Sequence, residues 1–469
     1  MKSNIQLTNS LGKQKQEFKP LKTGKVGIYS CGPTVYNYAH IGNLRAYVFA
    51  DTLKRMFLAN GYKVNHVINI TDVGHLSDDA DSGEDKMLKG AKREGKTVWE
   101  IARFYEEEFK KDMNALNIIP PNHYPRATEH IQEMIEINKK LEVKGFTYIS
   151  EGNLYFDTSK FKDYWKLIGR EQETDEQQSR VQRDEHKKHP FDFVLWFTRH
   201  KYENHAMEWE SPWGKGFPGW HIECSAMSSK YLGEQFDIHT GGIDHIPVHH
   251  TNEIAQSEAA FGKKWVNYWV HNEFLVVKDS EKMAKSSGNF LRLQTLLDKG
   301  YTALEYRYLL LGTHYRKKLM FSFEALDSAK NALIKLKNRV INIKKEQKEK
   351  KQEIQKDKHE LFFKKLIEDI NDDLNTPKVL ASLWEFIQDE SINPETKLKL
   401  IEEYDDVLGL KLIESGEEEI PEEIISLKNQ RDEARKNKNW KLSDELRDKI
   451  ISKGYQVFDT KEGTEVRHQ

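Results

Sequence analysis

The order of apolar and polar positions near the amino terminus predicts a strand, a helix and a second strand in close succession. Residues 25–30 form a short apolar run, residues 43–60 repeat apolar positions at helical spacing, and residues 64–70 form a second apolar run. A βαβ unit of this kind indicates a parallel sheet, and ligands bind beyond the carboxyl ends of its strands. We therefore expect Cys31 and His40, which follow the first strand, at the ligand-binding edge.

The same pattern returns in the middle of the chain after a long interruption. Residues 113–212 are mixed in character and include a highly polar stretch, which is typical of an inserted module. The strand-like run EQFDIHT then leads through Gly241 and Gly242 into the helix-like segment HHTNEIAQSEAAFG, and WVNYWVHNEFLVV has further strand character. These segments predict that the parallel sheet resumes here.

Long helical periods replace this pattern after Tyr315. Lysines are dense between Lys335 and Lys358, and the acidic stretch ESGEEEIPEE resembles a linker to a short helical pair and a strand-like tail. The fold class that follows is α/β. It comprises a Rossmann-like parallel-sheet domain with an insertion, followed by an all-α helical bundle and a small carboxyl-terminal region.

Composition excludes some classes of protein without selecting a function. The 469 residues are enough for two or more domains, and 38% hydrophobic with 32% charged residues are typical of a soluble protein. The formal charge of −2 neither requires nor excludes a nucleic-acid partner. The amino terminus lacks the apolar segment of a secretory signal, and the longest apolar runs are too short to cross a bilayer. We expect a cytoplasmic protein without a membrane partner.

Four side chains offer the ligand chemistry of a metal site. Cys31 and Cys224 are far apart in a chain without an export signal, so a disulfide framework is not expected. His249 and Glu253 are four residues apart and share one face of a predicted helix. Thiolate, imidazole and carboxylate are ligands that zinc prefers. The spacing matches no zinc-finger signature, and inert buried thiols with a structural histidine are the alternative interpretation.

Five short motifs occur in an order that is typical of one family. They are CGPTVYNYAHIGN (31–43), GWHIECS (219–225), DIHTGGID (237–244), HHTNEIAQSEA (249–259) and KMAKSSGNF (282–290). The first and last resemble the HIGH and KMSKS signatures of class I aminoacyl-tRNA synthetases, in the form that cysteinyl-tRNA synthetases use. HYRKKLMFS, DDLNTP and KLSDELRD extend the resemblance over nearly the whole chain. Two positions depart from the signatures, since HIGN replaces HIGH and KMAKS replaces KMSKS.

The resemblance implies one Zn²⁺ per chain that selects the substrate. Zinc binds a thiolate at about 2.3 Å, whereas the serine hydroxyl is a harder and much less acidic ligand. A metal–sulfur bond can therefore discriminate more strongly than the roughly 10²-fold that a hydrophobic pocket achieves. The matching zinc ligands are Cys31, Cys224, His249 and Glu253. The implied substrate-binding residues are Thr71, Trp220 and His239, and a plain core position is the alternative for Trp220.

The resemblance also implies a site for ATP with Mg²⁺. His40 and Asn43 begin and end HIGN at the start of the first long helix, where backbone N–H groups and the helix dipole favour phosphate. Together with Lys285, the second lysine of KMAKS, they are the catalytic candidates. The ATP-binding candidates, which include two glycines expected beside the adenosine and a carboxylate for the ribose, are His40, Asn43, Gly241, Gly242, Asp244, Lys282 and Lys285.

The implied activity is the ligation of L-cysteine to tRNA(Cys) through an adenylate. The lysines from Lys335 onwards are either phosphate contacts or a solvated helical face, and Trp440 either stacks on a base or packs in a helical hairpin. We expect a monomer with the following regions: catalytic domain, first half (1–112); inserted connective module (113–212); catalytic domain, second half (213–275); KMSKS-type loop and stem-contact region (276–320); helical tRNA-binding bundle (321–413); linker and small anticodon-binding region (414–469).

Three other functions fit parts of the sequence. A cysteine ligase that acts on a small amino sugar would keep the fold and the adenylate chemistry, but the long extension after Arg316 argues against it. A catalytically inactive tRNA-binding paralogue would not need intact candidate ligands and Lys285. A zinc hydrolase would use the metal to activate water, for which two thiolates and a KMSKS-like loop are poor matches.

Overall fold

The first part of the chain forms the predicted βαβ unit behind a β-hairpin. The computed structural model describes residues 4–74, 86–169, 186–199, 207–277, 291–350, 352–414, 421–460 and 463–468. β3 pairs in parallel with β4, with Lys25 opposite Lys63 and Ser30 opposite Ile68. The elements of this part are β1 (Gln6–Asn9), β2 (Gln14–Glu17), β3 (Lys25–Ser30), α1 (Ile41–Ala59), β4 (Lys63–Ile68), α2 (Lys86–Glu94) and α3 (Val98–Ala115).

An antiparallel sheet then interrupts the parallel one. Its elements are α4 (Ile131–Val143), β5 (Thr147–Ser150), β6 (Asn153–Phe156), β7 (Phe193–Phe197) and β8 (Phe217–Pro218). Phe156 and Phe193, on adjacent strands, stack with ring centroids 5.0 Å apart. These strands share one hydrophobic core with Cys224 and Ile254 of the next part of the chain. The insertion is therefore packed against the region that carries the candidate metal ligands.

The chain then returns to the parallel sheet. The elements are α5 (Trp220–Leu232), β9 (Phe236–Gly242), α6 (Thr251–Phe261) and β10 (Val266–Asn272). The strand order is β10-β9-β3-β4, and all three pairings are parallel. Tyr29 on β3 lies opposite His239 on β9, so the carboxyl ends of strands from both halves meet at the centre of the sheet. Ligand sites of open α/β sheets lie at such a junction.

Two short parallel strands lead towards the helical region. The elements are β11 (Leu275–Val277), α7 (Leu293–Leu297), α8 (Ala303–Leu311) and β12 (Leu319–Phe321), and β11 pairs with β12. Arg45 on α1 donates to the backbone carbonyls of Phe274 and Lys317, beside these two strands. These hydrogen bonds hold the β11–β12 pair against α1 of the catalytic core.

Four long helices follow, and they pack directly on the catalytic core. They are α9 (Phe323–Glu349), α10 (Lys356–Asn371), α11 (Thr376–Gln388) and α12 (Pro394–Leu408). The side chains of Asn375 and Asn393 cap the amino termini of α11 and α12. Leu383 and Leu400 are buried in a hydrophobic core that also contains Leu53 of α1. We call α9 to α12 the helical region.

A small carboxyl-terminal unit has its own core. It consists of α13 (Glu422–Lys436), α14 (Trp440–Ser452) and the antiparallel pair β13 (Tyr455–Thr460) and β14 (Gly463–His468). Ile424, Ile450 and Val466 are buried together. Trp440, the first residue of α14, is 59% exposed, which excludes the hairpin-core alternative for this side chain.

The predicted fold class is confirmed, with a parallel α/β sheet, an insertion and a helical region in the predicted order. The run WVNYWVHNEFLVV forms two strands, β10 and β11, in different sheets. None of the helices in the described ranges combines the length and apolar character needed to cross a bilayer. The domain boundaries stay predictions.

Candidate active site

The carboxyl ends of β3 and β9 form the floor of the site. Cys31 directly follows β3, and its N–H donates to the carbonyl of Thr240 on β9 at 3.3 Å. The N–H of Gly32 donates to the Asn69 side chain at 2.8 Å. A Cβ at position 32 would come within 1.5 Å of the Asn69 carbonyl oxygen. Only glycine fits this close approach, so the turn after β3 places Cys31 at the edge of the sheet.

Two later helices bring the other candidate ligands to the same place. Cys224 lies in the second turn of α5. A π-helical turn, Ile246–His250, leads into α6 and presents His249 four residues before Glu253. Such turns occur often at functional sites. The ligand atoms of Cys31, Cys224, His249 and Glu253, which we call the ligand cluster, all lie within 4.8 Å of one another.

Burial and mutual contact shift the pKa of each residue in the ligand cluster. Burial raises the pKa of Cys224, and Cys31 raises it further. Burial also raises the pKa of Cys31, but a hydrogen bond from Cys224 and the charge of His250 outweigh it, so the pKa lies well below its ordinary value. Burial lowers the pKa of His249, but Glu253 and Cys31 bring it to about 10. Protons therefore reside on Cys224 and His249, and a cation that binds here must displace them.

The Glu253 carboxylate shows that the cluster fits a cation. Burial would raise its pKa, but the neighbouring imidazoles, His249 first, hold the pKa well below the ordinary value. The Nε2 atoms of His249 and His239 lie 2.8 and 2.9 Å from its two oxygens. Among the described residues, however, neither oxygen accepts a hydrogen bond of suitable direction. Both oxygens are therefore charged and available, and a cation would satisfy them. The cluster can therefore hold a metal ion.

A shell of further histidines surrounds the ligand cluster. A second set of side chains also has its ligand atoms within 4.8 Å: Cys31, His239, His250 and Glu253. Nδ1 of His250 lies 2.7 Å from Nε2 of His271, and Nδ1 of His271 lies 2.7 Å from Oγ of Ser10. Nδ1 of His221 lies 2.8 Å from Nδ1 of His249. These contacts fix the orientation of the rings around the cluster.

No motif-based prediction assigns a role to His221, His250 or His271. A signal for them is nevertheless present in the sequence, because six of the 18 histidines fall within residues 219–272. Such a density of imidazoles in a segment with three of the four candidate ligands indicates a shared polar site. Their arrangement could not be predicted from that density.

The predicted substrate-binding residues take different positions around the ligand cluster. Trp220, the partly exposed first residue of α5, stacks on His249 with ring centroids 4.2 Å and ring planes 29° apart. Thr71 is buried and donates to Oε2 of Glu223 at 2.9 Å. His239 is fully buried. Trp220 and His239 thus contact candidate ligands directly, whereas the hydrogen bond from Thr71 goes to Glu223, which is not one of them.

The HIGN motif forms the amino terminus of α1, as predicted. Nδ1 of His40 accepts the N–H of Asn43 at 3.1 Å, and Oδ1 of Asn43 accepts the N–H of His40 at 3.2 Å. This reciprocal capping box orders the first turn, where N–H groups favour anions. Burial lowers the pKa of His40, opposed in part by Asp244.

The remaining ATP-binding candidates lie at the end of β9, just after it, and in the KMAKS segment. Asp244 is exposed in the short helix Ile243–His245, directly after Gly241 and Gly242. A Cβ at Gly241 would come within 2.7 Å of His250, so the lack of a side chain here also leaves room for the His250 ring. Contact with adenosine stays a prediction for both glycines.

Lys282 and Lys285 lie outside the described residues. The chain re-enters the described structure beside the HIGN motif, because the carbonyl of Leu291 accepts the N–H of Ile41 at 2.8 Å.

Comparison with known proteins agrees with this arrangement. Residues 17–331 match the family model described as tRNA synthetases class I (C) catalytic domain. Among solved structures, methionyl-tRNA synthetase of Mycobacterium tuberculosis in complex with methionyl-adenylate is similar with a TM-score of 0.58. The match covers 84% of this chain and 91% of that chain at 15% identity, which shows a shared fold.

Two curated relatives are similar over nearly their full lengths. The cysteine–tRNA ligase of Treponema denticola is 50% identical over 97% of this chain and 98% of its own length. Cysteine–tRNA ligase 1 of Burkholderia lata is 46% identical over 95% of this chain and 93% of its own. The chain therefore belongs to the class I aminoacyl-tRNA synthetase family and, within it, to the cysteine–tRNA ligases. The similarity includes the extension after Arg316 and gives no support to the alternative functions.

Proposed function

We propose that the chain activates L-cysteine with ATP and transfers it to tRNA(Cys), and that one Zn²⁺ selects the substrate thiol. The observation that carries the proposal is the convergence of two thiols, an imidazole and a carboxylate within 4.8 Å at the carboxyl edge of the parallel sheet. Four donors of these types are the usual complement of a zinc site. The relatives that are 50% and 46% identical to this chain are cysteine–tRNA ligases, which supports the same function.

We assign the zinc to Cys31, Cys224, His249 and Glu253 rather than to the overlapping set. This choice uses both thiols, which zinc binds strongly. The overlapping set contains only one thiol, because His239 and His250 stand in it where Cys224 and His249 stand in the ligand cluster. When bound, zinc would supply a Lewis acid that lowers the pKa of the substrate thiol and binds its thiolate. Trp220, stacked on His249, would form the wall of the same pocket.

The first turn of α1 would bind the triphosphate of ATP and its Mg²⁺. The bond from Asn43 to Nδ1 of His40 orients the imidazole, so that its Nε2 can donate to charge that develops on the phosphates. Asp244, exposed beyond β9, would accept hydrogen bonds from the ribose. Lys282 and Lys285 are proposed as phosphate ligands from the sequence alone.

The reaction has two steps that depend on positioning rather than on a side-chain nucleophile. The cysteine carboxylate attacks the α-phosphate of ATP, which forms cysteinyl-adenylate and releases pyrophosphate. A ribose hydroxyl at the 3′ end of the tRNA then attacks the carbonyl of the adenylate, and AMP leaves. The helical region and the carboxyl-terminal unit would bind the tRNA. The cytoplasmic location, the monomeric state and the domain boundaries stay predictions.

The exchange of labelled pyrophosphate into ATP tests the activation step. We expect exchange with cysteine and none with serine, in a sample whose zinc content is measured at the same time. Charging of a tRNA(Cys) transcript tests the second step. A folded, zinc-loaded protein without cysteine-dependent exchange would contradict the proposal. Equal exchange with serine would contradict the role of zinc in selection.

A further inference from the structure

Helix α1 is in contact with the helical region far from the HIGN motif. Asp51 lies about 16 Å along this helix from His40, at about 1.5 Å per residue. It is buried, and its Oδ2 accepts hydrogen bonds from Nε of Arg55 at 2.7 Å and from Nη2 of Arg307 at 2.5 Å. Its Oδ1 accepts the N–H of Ile119 at 2.8 Å. One carboxylate therefore joins α1, α8 and the segment that follows α3.

The two guanidinium groups carry two positive charges, and the Asp51 carboxylate balances only one of them. Backbone carbonyls at helix carboxyl termini supply further negative potential. Nε of Arg307 donates to the carbonyl of Leu408 at 2.7 Å, and Nη1 of Arg55 donates to that of Asp406 at 2.8 Å. Both carbonyls belong to the last turn of α12. Nη1 of Arg307 also donates to the carbonyl of Leu116, just after α3, at 2.9 Å. Terminal carbonyls lack partners in their own helix and carry its negative dipole.

The contacts that Asp51, Arg55 and Arg307 make with the end of α12, which we call the junction, are closely packed. Gly409 ends α12 with φ of +64°. A Cβ at this position would come within 2.7 Å of Arg307 and 2.9 Å of Arg55, so a side chain does not fit here. Asn117 donates to the carbonyl of Gly409 at 2.9 Å. The neighbour of Arg307 on α8, Tyr306, donates to the carbonyl of Ile41 at 2.7 Å, next to His40. Helix α8 therefore holds α1 at its amino terminus and at its middle.

From these contacts we propose that Arg307 is a positioning residue for tRNA charging. With Asp51 and Arg55, it fixes the end of α12 on α1 and so sets the orientation of the helical region relative to the active site. This inference rests on the proposed function, in which the helical region binds tRNA. A bound tRNA must place its 3′ end at the adenylate, and a small error in that orientation moves the 3′ end away from it. In the proposed function, the residues that would bind cysteine and ATP belong to the catalytic core and none belongs to the helical region, so activation should not require that orientation.

Arg307→Lys tests the proposal because it keeps the charge beside Asp51 but cannot reproduce the forked contacts. We expect cysteine-dependent pyrophosphate exchange within about twofold of the original protein, and kcat/KM for tRNA lower by roughly tenfold to 100-fold. Equal losses in both assays, or unchanged charging, would overturn the proposal. If the original protein itself showed no exchange, the proposed function would fail instead, so the two failures are distinguishable.

Tyr404→Phe is the matched control within the helical region. Its buried hydroxyl lies 3.0 Å from the carbonyl of Phe362, to which it can donate, and 3.1 Å from the hydroxyl of Ser382, so the change removes buried hydrogen bonding without touching the junction. We expect this variant to lose thermal stability while the ratio of charging to exchange stays unchanged. If the ratio of charging to exchange fell similarly in the Tyr404 variant, the effect of Arg307→Lys would be explained by lost stability and not by the orientation of the helical region. If Arg307→Lys is not recovered in folded form, Arg55→Lys, which changes the other arginine bound to Asp51, is measured in the same assays and decides the outcome.

Discussion

The indole of Trp220 lies on the imidazole of His249, with ring centroids 4.2 Å apart. His249 in turn lies 2.8 Å from Glu253 and 3.6 Å from Cys224, measured from its Nε2. A residue expected to line the amino-acid pocket is thus in direct contact with a candidate metal ligand. Changes in the pocket and in the metal site should therefore be coupled.

Trp220→Ala should weaken cysteine binding with little change for ATP. An aromatic pair of this kind is worth about 0.5–1.5 kcal/mol beyond its buried area, so we expect KM for cysteine to rise about tenfold. Trp220→Phe keeps a ring over His249 and should lose less. Pyrophosphate exchange at varied cysteine and varied ATP provides the measurement, and the ATP series is its internal control. A parallel rise in KM for ATP would argue against a role confined to the amino-acid pocket.

Cys224→Ser should remove the metal and the activity together while leaving the fold intact. Serine is a poor zinc ligand at this position, so we expect metal content near zero and cysteine activation at least ~100-fold lower. Elemental analysis and pyrophosphate exchange on one sample give both quantities. Ser228→Ala removes a buried hydroxyl one turn further along α5 and serves as the control. Full metal content in the Cys224 variant would refute the ligand assignment.

His40→Asn should separate helix capping from catalysis. Asparagine is a preferred N-cap residue, so the first turn of α1 and the thermal stability should be retained. The imidazole is lost, and we expect kcat for pyrophosphate exchange to fall by about 10²–10³. Asn43→Ala removes the other half of the capping box and should cost about 1 kcal/mol of stability. Unchanged exchange in the His40 variant would show that the imidazole contributes nothing beyond the cap.

Asp112→Asn should stabilise the protein above neutral pH. Burial, followed by the charge of Glu108, raises the pKa of Asp112 to about 7, and Arg292 opposes the shift. An unfolded aspartate has a pKa of about 3.9, so the folded protein retains this proton over a range where the unfolded chain has lost it. The favourable contribution of Asp112 is therefore complete at low pH and is lost as the pH rises to about 7.

Thermal unfolding from pH 4 to pH 8 checks the sign of this effect. We expect the variant and the original protein to unfold together near pH 4 and the variant to be roughly 2–4 °C more stable at pH 8. Asp163→Asn changes an exposed aspartate and should show no such difference. A stability difference that is largest at low pH would contradict the sign.

Trp440→Ala should weaken tRNA binding without affecting activation. The side chain is 59% exposed at the start of α14, where it is available to stack on a base. Stacking of this kind contributes ~1–3 kcal/mol per base, so KM for tRNA should rise while pyrophosphate exchange stays constant. Trp99 on α3 is likewise a surface tryptophan, with 47% of its side chain exposed. Trp99→Ala is therefore the matched control and should change neither KM for tRNA nor pyrophosphate exchange. Equal effects of the two substitutions would argue against a specific contact at Trp440.

Interactions between residues close in the chain were predictable from the sequence. The position of HIGN at the start of α1 and the closeness of His249 to Glu253, four residues apart, were predicted, and both are present. The βαβ order likewise follows from apolar periodicity, and β3 has the predicted bounds. Trp440 shows the limit, because hairpin core and exposed surface are both compatible with its position in a helical pair until packing selects one.

The sequence by itself determined the family and the fold class, and the family resemblance implied the four candidate ligands, because short motifs and apolar periodicity carry that information locally. Tertiary structure alone decided which distant polar groups meet. Asp51 and Arg307 are 256 residues apart, and Ser10 reaches His271 across 261. A buried charge requires a compensating partner, but many arginines and histidines could meet that requirement. Only the packing of α1 against α8 and α12, and of β1 beside β10, selects the partner.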